Sequence, residues 1–190
     1  MTRTIALLVG SLRKESVTRK VTKAICELAA PHMTFTPIEI GNLPAFNQDF
    51  EASPPKEWLA LRGAVAATDG VLFATPEYNR SIPGVLKNAI DVGSRPYGKS
   101  VWAGKPAAVI SQSGGGIGGF GANHHLRQVL AYLDMPTLAQ PEMYIGNSGK
   151  LWDENGELVA ATRELFGTFV AAFARWVERF AHDAAQRTSV

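Results

Sequence analysis

A chain of 190 residues, 46% hydrophobic and 19% charged, has the make-up of one globular domain spanning residues 1–190, which excludes a disordered or fibrous chain. The net charge is only +2 and the Lys and Arg residues are scattered, which argues against a nucleic-acid partner, because such partners leave a concentrated basic patch. Cys26 is the only cysteine, so an intramolecular disulfide is excluded.

The first apolar run, TIALLVG at residues 4–10, reads as a central strand. It is too short to cross a membrane, and the start of the chain lacks a small-residue cleavage site, so the cytoplasm is the expected location. A helix is expected over 16–30, with Val17, Val21, Ile25 and Leu28 on one side; Cys26 lies in it and reads as a small buried hydrophobe. MTFTPIEI, residues 33–40, fits an edge strand, since Pro37 would break a central ladder. Ser53 is the expected cap of a helix through Trp58, Leu61 and Val65. GVLFATP at 70–76 is a second buried strand, followed by a helix over 81–92. PAAVISQ at 106–112 is a third, followed by a helix over 122–133. A weaker strand is expected over 137–146. A final helix over 158–187 carries Leu165, Phe169, Phe173, Trp176 and Phe180 as its core stripe.

Strands alternating with helices imply a doubly wound α/β sheet, and five strands suit the order 2-1-3-4-5. In such sheets the ligand lies at the carboxyl ends of the strands, where the winding reverses. Two glycine motifs fail that test. GSRPYGKS, residues 93–100, matches G-x-x-x-x-G-K-[ST], but it leads from a helix into a strand, whereas a phosphate loop leads from a strand into a helix. GGGIGGFG, residues 114–121, contains G-x-G-x-x-G but follows the fourth strand, and no acidic residue stands about twenty positions on at the end of a second strand, where the fingerprint has it. Its glycines would still let the backbone come close to a flat ligand.

The loop GSLRKESVT, residues 10–18, is correctly placed after the first strand. Ser11, Ser16 and Thr18 offer hydroxyls, Arg13 a charged fork, and the helix start its free N–H groups, which together would cradle a phosphate dianion. The same loop also reads as Ser16 capping the helix beside a solvated Arg13. After the third strand, TPEYNRSIPGVLKNAID offers an aromatic plane at Tyr78 and an amide at Asn79, suited to a planar heterocycle or to an ordinary tight turn. Lys87 and Asp91 fall one helical turn apart and can pair. His124 and His125 are adjacent and would point apart, so no metal is expected there.

Taken in order, GSLRKESVTRK, TPEYNRSIPGVLKNAIDVGSR and SQSGGGIGG resemble the NADPH-dependent FMN reductase family of flavodoxin-like proteins, nearest its bacterial chromate and quinone reductases. HHLRQVLAYLDM and QPEMYIG extend the likeness over nearly the whole chain. The resemblance implies FMN as cofactor and NADPH or NADH as co-substrate. Ser11, Arg13, Ser16, Val17 and Thr18 would hold the FMN phosphate. Pro76, Glu77, Tyr78, Asn79 and Ser81 would line the ring and ribityl chain, with Ser113 and Gly114 on a third side. It also implies a homodimer or homotetramer, with the helix from Pro83 near the interface. The acceptor would be a small molecule: a quinone, a flavin, an azo or nitro compound, or a metal oxyanion such as chromate. The flavin would carry the hydride, so no catalytic side chain is expected. The chain departs from the family at Val92, where an aromatic residue is common, and at Arg80, where an aromatic residue or histidine is common. The rival readings are a flavodoxin-type electron carrier and a flavin-binding protein without turnover. Carriers are typically acidic, and a sequence pI of about 8.8 argues against that role.

Overall fold

The computed structural model describes residues 2–30 and 32–187, with the side chains of the last helix described as far as residue 181. Five parallel strands form one sheet: β1 (Arg3–Val9), β2 (Met33–Pro37), β3 (Gly70–Pro76), β4 (Ala107–Gln112) and β5 (Met143–Ile145), in the order β2-β1-β3-β4-β5. The helices between and after them are α1 (Val17–Ala29), α2 (Lys56–Ala66), α3 (Gly84–Gly93), α4 (Phe120–Tyr132) and α5 (Ala160–Arg187). This is the flavodoxin-like doubly wound arrangement that the strand pattern predicts.

The alternation of side chains along the strands sorts the core into two layers. Ala6, Leu8, Val71, Phe73 and Val109 face Trp58, Leu61 and Val65 of α2, Leu86 and Ile90 of α3, and Leu126 of α4. Ile5, Leu7, Leu72, Ala108 and Ile110 face Val21 and Ile25 of α1 and Phe166, Phe169 and Phe173 of α5. The three phenylalanines are at most 1% exposed, and burial of each contributes about 1.5–3 kcal/mol.

Several boundaries differ from the sequence expectation, each for a local reason. The edge strand stops at Pro37, which has no N–H for the ladder, although Ile38 N still donates to Leu7 O at 2.9 Å. Helix α2 starts after Pro55, not behind a Ser53 cap; Ser53 N donates to Phe50 O at 3.1 Å in the preceding turn. Helix α3 begins three residues late because Ser81 is paired with Tyr78 and Pro83 presets the first helical turn. The fifth strand shrinks to three residues, and Thr137 forms only an isolated bridge to Ala107. On α5 the buried stripe is Phe166, Phe169, Val170, Phe173 and Val177, while Leu165 is 40% exposed. Trp176 lies at the margin and donates from Nε1 to Pro136 O at 2.9 Å, with Phe180 packed edge-on against it. Val92 is buried in the core layer, which gives that position an internal packing role. Burial pushes the Cys26 thiol up to about 11, which suits an inert packing residue.

The segment 93–100 connects α3 to the start of β4, at the opposite end of the strand from the carboxyl edge. Gly93, the last residue of α3, has no room for a side chain, because a Cβ there would lie 2.4 Å from the ring of Trp102, itself fully buried and hydrogen-bonded through Nε1 to Ile90 O at 2.9 Å. Lys99 is exposed. Lys99→Ala is therefore expected to leave steady-state NAD(P)H oxidation within about twofold, as for a surface substitution away from any site. A larger loss would return a binding role to the motif.

Candidate functional site

The winding reverses between β1 and β3, and the loops after β1, β3 and β4 meet there around a cleft of about 290 Å³. Its walls are Ser11, Arg13, Ser16, Val17, Thr18, Pro76, Glu77, Tyr78, Gln112, Ser113, Gly114 and Ser148.

The first wall is built by the turn from β1 into α1. Gly10 N donates to Ala74 O at 2.8 Å, which fixes the exit of the strand against β3. Arg19 Nε donates to Ser11 O at 3.0 Å and holds the loop back on the helix. Ser16 has the extended backbone of an N-cap, and its hydroxyl oxygen accepts from Arg19 N at 3.2 Å. That oxygen is committed to the cap, yet its proton stays free to donate. Among the described residues, the N–H groups of residues 11–18 reach no acceptor, and neither the Ser11 hydroxyl nor the Arg13 guanidinium has a hydrogen bond or ion pair. Ser11 is nonetheless only 3% exposed, so its hydroxyl opens on the cleft and not on bulk solvent.

The second and third walls differ more from expectation. Tyr78 and Ser81 exchange backbone hydrogen bonds of 2.9 and 3.0 Å across Asn79 and Arg80, which both have positive φ. Asn79 and Ser81 are not among the cleft walls; the Ser81 hydroxyl lies 2.6 Å from His125 Nδ1. His124 turns the other way, with Nε2 2.8 Å from the Tyr144 hydroxyl. Burial, and then the Glu142 carboxylate, push that hydroxyl up to about 12, so it is neutral at working pH. Lys87 pairs with both oxygens of Asp91 at 2.9 Å, as their spacing predicts. In the glycine run, Gly114 and Gly115 have open space where a side chain would stand. Gly118 instead packs against the protein itself, beneath the backbone of Tyr144.

Two cleft residues escape the sequence reading. Gln112 ends β4 with its side chain buried and accepts from Thr18 Oγ1 at 3.2 Å, so the Thr18 hydroxyl proton turns to the protein while its N–H stays free. Ser148 comes from the segment after β5, which is tied back by Asn147 N donating to Gly115 O at 3.2 Å and by Lys20 lying 3.9 Å over the Trp152 ring. Only the end-of-strand position of Gln112 was a signal in the sequence.

The donor set fits FMN. Free N–H groups at a helix start, a buried hydroxyl and an unpaired guanidinium are what a phosphate dianion requires. The bare backbone at Gly114 and the aromatic face of Tyr78 suit a flat ring. Residues 3–150 match the family model for NADPH-dependent FMN reductase. The chain belongs to that family. It is an oxidoreductase that uses FMN with NAD(P)H. A quinone reductase from Pseudomonas putida is 54% identical over 92% of this chain and 94% of its own length. A 2-hydroxy-1,4-benzoquinone reductase from a Burkholderia species is 47% identical over 91% of this chain and 95% of its own. The solved structure of FerB, a flavoenzyme NAD(P)H:(acceptor) oxidoreductase from Paracoccus denitrificans, superposes with a TM-score of 0.90 at 40% identity, covering 94% of this chain and 99% of that one.

Proposed function

We propose that this FMN reductase-family chain is a quinone reductase whose FMN phosphate sits on the β1–α1 turn. The carrying observation is the set of unsatisfied donors at residues 11–18, gathered at the carboxyl edge of the sheet. Ser11 and Arg13, with the N–H groups of Val17 and Thr18, bind the phosphate, and Ser16 adds a hydroxyl donor while capping α1. Pro76 and Tyr78 flank the ring on one side, and Ser113 and Gly114 on the other. When bound, FMN supplies the passage of reducing equivalents from NAD(P)H to the acceptor. The chain's own part is to bind, orient and keep that group accessible, and no side chain has to deliver a proton for the first step. Quinone is the proposed acceptor because the two similar reductases are named for quinones, and because an open cleft flanked by Tyr78 accepts a flat ring. The chain is proposed to work as a homodimer or homotetramer, with α3 at the contact. It is placed in the cytoplasm, where NAD(P)H is available.

The test is the anaerobic visible spectrum of protein mixed with FMN, followed after NADPH and, separately, NADH. The expected result is bound yellow flavin that bleaches on mixing and recovers its colour faster with benzoquinone than with chromate. Flavin that stays yellow would favour a carrier, and chromate as the faster oxidant would overturn the choice of quinone.

A further inference from the structure

Glu77 stands within the motif expected to line the flavin, yet both oxygens of its carboxylate are engaged by the protein. Oε1 accepts from Arg80 Nη1 at 3.0 Å, and Oε2 accepts from the N–H of Ala122 at 3.1 Å. Ala122 lies in the first turn of α4, whose N–H groups have no intrahelical partner and whose dipole favours an anion. The Glu77 side chain is only 12% exposed and its bond from Ala122 N is part-buried, whereas the Arg80 end of the ion pair is 71% exposed. The bond to α4 is therefore the sheltered half of the contact.

Three further features converge on the same contact. Asn79 and Arg80 have φ of 52° and 64°, the left-handed pair that a two-residue hairpin of the primed type requires. Such a backbone is strained for arginine and persists only where its surroundings hold it. A Cβ on Gly121 would lie 2.9 Å from Arg80 O and 3.0 Å from Glu77 Oε2, so the hairpin rests directly on a bare stretch of α4. On its far side, Ser81 Oγ and His125 Nδ1 meet at 2.6 Å.

From these contacts we propose that Glu77 is a positioning residue, which clamps the Tyr78–Ser81 hairpin to the first turn of α4 and thereby sets the gap between two walls of the cleft. Pro76 and Tyr78 adjoin one end of the clamp. Ser113 and Gly114, whose loop runs directly into α4, adjoin the other. Arg80 completes the clamp by pairing with Glu77, which gives this position a role inside the chain. The cleft role rests on the FMN reading given above.

The test uses Glu77→Ala, Glu77→Gln and Gly121→Ala. Flavin affinity is read by quenching of flavin fluorescence, and amide exchange at Ala122 is read in flavin-free protein. Glu77→Ala is expected to speed Ala122 exchange and to weaken FMN and riboflavin alike, by about tenfold, the scale of one hydrogen bond to a charged group. Glu77→Gln keeps an oxygen for Ala122 N and should recover part of both effects. Gly121→Ala substitutes no cleft residue but pushes the hairpin away, so a similar affinity loss is expected and covers the case in which Glu77→Ala does not fold. Unchanged Ala122 exchange in Glu77→Ala would overturn the clamp. Accelerated exchange with wild-type flavin affinity in Glu77→Ala and Gly121→Ala would overturn its role at the cleft. Wild-type protein that quenches no flavin would instead sink the FMN site itself, and the exchange contrast would still report whether the clamp exists.

Discussion

Gly118→Ala is expected to be the most damaging single-methyl change near the cleft. A Cβ at this position would lie 2.5 Å from the carbonyl carbon of Tyr144, 2.7 Å from its oxygen and 2.9 Å from Gly146 N. All three atoms are backbone, so no side chain can rotate away. The position also has a φ of +66°, which a residue with a side chain adopts only under strain. The glycine loop and the chain leaving β5 cross here without side chains between them, joined by Ser113 N to Ile145 O at 3.0 Å. Strain and overpacking together cost about 3 kcal/mol or more. For a chain of this size that lowers Tm by about 6–12 °C. Gly98→Ala supplies the control, since Gly98 has a φ of +77° but open space around it. It carries the strain without the collision, and about 1 kcal/mol is expected. Equal losses in the two variants by thermal denaturation would mean that the close crossing at Tyr144 does not exist in solution.

That crossing shows what the sequence can and cannot disclose. The apolar runs of β1, β3 and β4 are legible because a strand buried on both faces needs them, and the strand order follows from the alternation of elements. The β1–α1 turn is legible as a candidate site because it leaves a buried strand at the carboxyl edge of the sheet and enters a helix. The two readings of Ser16 turn out to be compatible, because the oxygen that caps α1 still leaves a proton for a ligand. The purpose of the glycine run is not legible. Composition suggests bare backbone turned toward a ligand, whereas Gly118 and Gly121 make room for Tyr144 and for the Arg80 turn, contacts between segments far apart in sequence. Glu77 is hidden in the same way: its partner Ala122 is a backbone N–H forty-five residues on, and no pattern of side chains announces it. Gln112 is signalled only by its place at the end of an apolar strand, and nothing in the sequence pairs it with Thr18, ninety-four residues earlier. The α5 stripe misleads by one position because large apolar residues occupy both margins of the helix, and Leu165 falls on the outer one.

Arg13→Ala is expected to weaken FMN binding by about 10- to 100-fold, the equivalent of about 1.5–3 kcal/mol for hydrogen bonds between charged groups. The guanidinium stands at the cleft with no carboxylate or carbonyl partner among the described residues, so nothing inside the chain competes for it. Its removal should not disturb the loop, which is held by Arg19 Nε on Ser11 O and by the Ser16 cap. Two ligands separate a phosphate contact from general damage. Riboflavin has the same ring and ribityl chain without the phosphate, so its affinity should be the same in wild type and Arg13→Ala. Arg13→Lys keeps the charge but loses the planar fork, and should recover only part of the FMN affinity. The FMN affinity of the wild type should also fall with added salt more steeply than that of Arg13→Ala, because the variant has lost a screened charge–charge contact. Equal weakening of riboflavin and FMN would move Arg13 from the phosphate to the structure of the loop. An FMN affinity indistinguishable from wild type would leave the phosphate to Ser11 and the N–H groups at the start of α1, making the helix terminus, and not the guanidinium, the anchor of the cofactor.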